Sequence, residues 1–143
     1  MTEREIISYL KTLSEDSWNL PVTSKWSLKD TIAHMVGWTE LDVQSLERID
    51  EAGVLPWRQK GFDVNKYNSE SVEKYSGTAP KELLKIWANF LDKREELIES
   101  VGKESVKKDR ELFYYLFENG NSKHTLHHYK QIKEDLSKII PKS

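Results

Sequence analysis

The chain has 143 residues, 22 Lys and Arg against 24 Asp and Glu, a net charge of −2 and no cysteine. That length suits one domain spanning residues 1–143, able to bury roughly two-thirds of its unfolded surface without a covalent staple. The balanced charge gives no long-range field for nucleic acid or an acidic membrane, and the missing thiol excludes disulfides, thiolate metal sites and a cysteine nucleophile from this chain.

The segment "MTEREIISYL" is acidic and has no apolar core, so no secretory signal is expected. No apolar run approaches the ~20 residues of a membrane-spanning helix. A cytoplasmic protein is the expectation, with neither membrane nor nucleic acid as partner.

The periodicity is helical almost throughout. Ile6, Ile7, Leu10 and Leu13 recur at three and four residues and predict a helix over about 3–18. "NLPVTSK" breaks it, with Pro21 as punctuation. Ser27 and Asp30 have capping-box spacing, and the carboxylate suits the positive end of the helix dipole. Leu28, Ile32, Met35, Thr39, Val43 and Leu46 then draw one apolar stripe, and the helix is expected to run to about Ala52 before Gly53.

From Gly53 to Thr78 the sequence predicts a long connector rather than a helix. A connector of that length crosses a bundle or builds a site, and Trp57, Phe62, Tyr67 and Tyr75 are too many aromatics for a free linker. The third helix begins in "TAPKE", because Pro80 is tolerated only in a first turn. Leu83, Trp87, Phe90, Arg94, Leu97 and Val101 follow one seam, Leu84, Leu91 and Ile98 a second, and Gly102 closes it. The fourth helix is expected to start in "ENGNS" and run to Ile140. Four amphipathic helices and no convincing strand predict an all-α four-helix bundle.

Three of the four histidines fall in "HTLHHYKQI". His124 and His128 are one helical turn apart, a rotation of roughly 40°, so two imidazoles can share one metal ion there. The same spacing also describes a solvated pair on a helix surface. The pair borders the apolar side formed by Ile132, Leu136, Ile139 and Ile140, with Gln131 and Asp135 continuing its stripe and His127 pointing away. His34 lies roughly 130° from the main stripe of its helix, on a flank shared with Trp38 and Leu41. That position fits a ligand, or a half-buried histidine bonded to a backbone carbonyl.

"KWSLKDTIAHMVGW", followed by a terminal helix carrying "HxxxH" and "QI", resembles the DinB-like superfamily of four-helix bundles, which includes the metal-dependent YfiT-type proteins. "GFDVNKYNSESVEKYSGTAPKELLKI" is similar to its small relatives near the ClbS/DfsB branch. The resemblance implies an up-down-down-up bundle with a long crossover between helices two and three. It implies a divalent metal held by His34, His124 and His128. Zn²⁺ or Ni²⁺ suits such a set, with iron and manganese as lesser alternatives, and three protein ligands leave a position open for chemistry.

Two routes follow. A metal-activated water attacks a small electrophile, or an external low-molecular-weight thiol is held as thiolate for transfer. Trp38, Glu40, Trp57, Tyr67 and Gln131 are the candidate pocket residues, with Asp63 and Asn65 as further wall positions; for Glu40 the competing reading is a solvated helix carboxylate. The resulting expectation is a small metal-dependent hydrolase or thiol transferase in stress defence or detoxification, acting on a small-molecule substrate, with a homodimer implied by the resemblance. The alternatives are a non-catalytic stress-associated binding bundle and a metal-free hydrolase of a reactive metabolite, of the ClbS/DfsB kind.

Overall fold

The computed structural model describes residues 3–22, 25–48, 61–101 and 130. Ile6, Ile7 and Leu10 share one face of α1 (Glu3–Leu10), and all three are buried. The helix expected over 3–18 stops there. Thr12 Oγ1 donates to the Tyr9 carbonyl at 2.6 Å, and the amides of Thr12 and Leu13 pair three residues back rather than four. Ser14 is extended, its hydroxyl 2.8 Å from that of Ser17, and a 3₁₀ turn follows over Glu15–Asn19. Hydroxyl side chains here compete for the backbone and end the helix. The turn places Trp18 in the core.

α2 (Leu28–Glu47) begins as the sequence predicts. The Asp30 amide donates to Ser27 Oγ and the Ser27 amide to Asp30 Oδ2, both at 3.2 Å, a complete capping box. It ends at Glu47 rather than near Ala52, and the Arg48 amide turns back to the carbonyls of Leu46 and Ser45. Fourteen of its twenty residues are buried, so it is the central helix of the bundle and not a one-sided one.

α3 (Val64–Lys74) occupies part of the expected connector. Asp63 caps it, accepting from the Lys66 amide at 3.1 Å. α4 (Pro80–Val101) starts at the proline, and Leu83, Leu84, Trp87 and Leu91 join the core with Ile32, Met35 and Val36 of α2. Gly102 and the helix expected from "ENGNS" to Ile140 lie outside the described residues, apart from Lys130, which is helical and exposed.

The described residues form an all-α helical bundle of four helices with no strand, and one isolated bridge pairs Pro21 with Ser27. Trp87 Nε1 donates to Thr39 Oγ1, and Arg94 donates to Asp42, both at 3.0 Å, so α2 and α4 run in the same direction. α1 runs against α4: Glu3 meets Arg94, while Leu10 and Leu84 line one cleft. Among the described residues no helix is long and apolar enough to cross a membrane.

Candidate functional site

His34 sits in the second turn of α2 and is 3% exposed, so it is buried where the sequence suggested half-burial. Its ring centroid lies 4.9 Å from that of Trp26, with the planes at 37°. The segment holding Trp26 is fixed on both sides: the Val22 amide donates to the Trp26 carbonyl at 3.0 Å, and the Leu28 amide to the Leu20 carbonyl at 2.9 Å. Trp26 falls within the "KWSLKDTIAHMVGW" stretch, but the sequence gives it no role beside His34. It precedes the helix cap, so helical spacing cannot relate it to His34.

One turn along α2 the flank becomes aromatic. Trp38 Nε1 donates to Asn68 Oδ1 of α3 at 2.6 Å, and the Trp38 ring meets Tyr67 edge-on at 5.3 Å. Phe62 packs against Tyr67 at 5.9 Å. The Tyr67 hydroxyl donates to the Gly37 carbonyl at 2.5 Å. Burial pushes this phenol well above the ordinary tyrosine range, and the Glu40 charge adds to the effect. Gly37 is needed for the approach of α3: a Cβ there would lie 2.2 Å from Ser71 Oγ.

Glu40 is not a solvated helix carboxylate. It accepts two bonds from Lys74 Nζ, at 2.8 and 2.9 Å, and one from the Tyr75 hydroxyl at 3.2 Å. The hydrogen bond to Glu40 raises the Lys74 ammonium above its usual range. Burial, then the Glu40 charge, raises the Tyr75 phenol. Glu40 therefore clamps α3 to α2. Asp63 caps α3 and is exposed, as is Asn65.

The structure thus brings Trp38 and Glu40 of α2 against α3, through Tyr67, Asn68, Lys74 and the Tyr75 cap, and sets His34 one turn before Trp38 against Trp26. His124, His128, His127, Trp57 and Gln131 lie outside the described residues. Among the described residues no group of three or more His, Cys, Asp or Glu side chains is placed to hold a metal ion. His34 is the one described member of the expected ligand set.

A second polar cluster was not anticipated. Arg94, placed by spacing on an apolar seam, donates to both Glu3 and Asp42 and ties three helices together. Separately, an apolar cleft of about 90 Å³ is lined by Leu10, Leu13, Trp18, Pro80 and Leu84, and His34 does not border it.

No family model matches the chain, and neither a curated protein nor a solved structure matches it.

Proposed function

We propose that the chain is a DinB-like bundle of up-down-down-up topology and a small metal-dependent enzyme. Its reaction is hydrolysis of a small electrophile or transfer of an external low-molecular-weight thiol to one. His34, His124 and His128 would hold a divalent ion, Zn²⁺ or Ni²⁺ ahead of iron or manganese. The shared direction of α2 and α4 supports the topology if they are its second and third long helices, with the chain between them, α3 included, as the crossover.

The observation that carries the reading is the burial of His34 one turn before Trp38, against which Tyr67 of α3 packs. Imidazole in its neutral form is the ligating species, and a buried, ring-packed histidine keeps one orientation. When bound, the ion supplies Lewis acidity towards water or a thiol. The chain's own residues do the rest. Trp26 fixes the His34 ring from one side. Trp38 and Tyr67 form a wall that excludes water and favours an apolar or flat substrate group. Glu40, committed to Lys74 and Tyr75, positions α3 and is not the proton acceptor.

Metal content of untagged protein purified without chelator tests the reading. About one equivalent per chain is expected, and less than about a tenth counts against it. His34→Ala abolishes binding, while His127→Ala leaves most of it. A second reading is a non-catalytic bundle, favoured by the Trp26–His34 contact, which packs the ring without requiring an ion. The same measurement separates the two.

A further inference from the structure

We propose that α3 is a strap that undocks from α2 as one unit, pivoting at Tyr75, and uncovers Trp38 and the Gly37 carbonyl of α2.

The face that α3 turns to α2 carries Tyr67, Asn68 and Ser71, with Tyr75 at its cap. Ser71 is its single buried residue, and Val64 at its start is 48% exposed. Among the described residues, what holds it is one edge-on ring contact, Tyr67 on Trp38, and a set of polar clasps: Trp38 to Asn68, Tyr67 to the Gly37 carbonyl, and Lys74 to Glu40. Each of these bonds is exchanged for a bond to water on opening, so each contributes little net. The Lys74–Glu40 pair is half-exposed on the lysine side and is screened further. α4 is held differently. Leu83, Leu84 and Leu91 are buried hydrocarbon, and no bond to water replaces that contact. An element docked through polar clasps belongs to the low end of local stability.

The two ends of α3 differ in a way that defines the hinge. Tyr75 is 5% exposed and belongs to the core cluster, and Lys29 Nζ donates to the following Ser76 carbonyl at 2.7 Å. That end stays. The other end is preceded by Gly61, at φ +87°, a left-handed conformation that glycine adopts without strain. The fit between the helices is set by the Gly37–Ser71 contact, which has no room for a methyl group. Access to Trp38, one turn from His34, is the functional consequence, and that part rests on the metal-site reading. The undocking itself does not, and hydrogen exchange and metal content report the two separately.

Native-state hydrogen exchange on the full chain tests the proposal. The amides from Tyr67 to Lys74 are expected to share one opening constant, at least about 100-fold larger than that of Ile32–Val36 and Trp87–Leu91. Gly37→Ala wedges the helices apart and raises the α3 constant at least about tenfold, with the core amides unmoved. Lys74→Ala and Asn68→Ala remove clasps without touching the core, and should raise it several-fold even if Gly37→Ala fails to fold. The proposal is overturned if α3 opens only together with the core, if its amides fray progressively from the ends, or if the clasp variants shift core and α3 amides alike.

Discussion

Arg94 of α4 and Asp42 of α2 meet at 3.0 Å inside the bundle, where the Asp42 side chain is 1% exposed and that of Arg94 is 15% exposed. Glu3 of α1, itself buried, takes the other side of the guanidinium. Burial works against the charge on Arg94, but the two carboxylates outweigh it and hold the guanidinium above its ordinary range. Arg94 is the common partner of three helices.

Removing Arg94 takes the guanidinium charge away from two buried carboxylates. Arg94→Ala should therefore cost about 3–5 kcal/mol of unfolding free energy in urea titration. Arg4→Ala is the control. Arg4 pairs with Asp92 and Glu95 on the surface, where all the partners are largely exposed, so its loss should cost less than about 1 kcal/mol. Equal costs would show that the buried cluster is not a keystone.

Trp87 and Thr39 offer a second test of the α2–α4 contact. Thr39 Oγ1 accepts from the indole N–H at 3.0 Å, and both residues are fully buried. Thr39→Val keeps the shape, adds an apolar methyl and leaves the indole donor unsatisfied. It should destabilise by about 1–3 kcal/mol in spite of the gain in hydrophobicity. A neutral effect would mean that the bond is not made.

The clasp of α3 carries a pH signature. Tyr67 and Tyr75 are raised above the usual tyrosine value, and Lys74 above the usual lysine value. A group raised in the folded state contributes stability that is complete below its unfolded value and disappears as pH climbs towards the folded one. For all three groups that window opens near pH 10. Urea unfolding of the wild type should weaken above about pH 10, and the fall should be shallower in Tyr67→Phe. A parallel fall in the two proteins would remove Tyr67 from the account of α3 docking.

Local rules made part of the fold legible. The Ser27–Asp30 capping box and the Pro80 start were both readable, because each depends on residues three or fewer apart. The first helix stops short of 3–18 because the hydroxyls of Thr12 and Ser14 redirect the backbone, although Leu13 continues the apolar spacing. α3 escaped because the face it turns inward is Tyr67, Asn68 and Ser71, too polar to register as hydrophobic periodicity, although Asp63 was available as a cap signal.

The site was less legible, for a related reason. Arg94 falls on an apolar seam by spacing, and its two carboxylate partners come from other helices. Glu40 reads as solvated until Lys74 arrives from 34 residues downstream. Trp26 reaches His34 across a helix cap. Side-chain partners brought together by tertiary packing have no period in the sequence.

Convergence of His34 with the terminal pair is tested most directly by crystals of untagged protein, with anomalous differences recorded at the metal absorption edges. A peak is expected within about 2.0–2.3 Å of imidazole nitrogens from His34, His124 and His128 together. A His34 ring facing away from that pair, or hydrocarbon packed between them, would contradict the proposed chemistry and leave a helical bundle held by its Arg94 cluster.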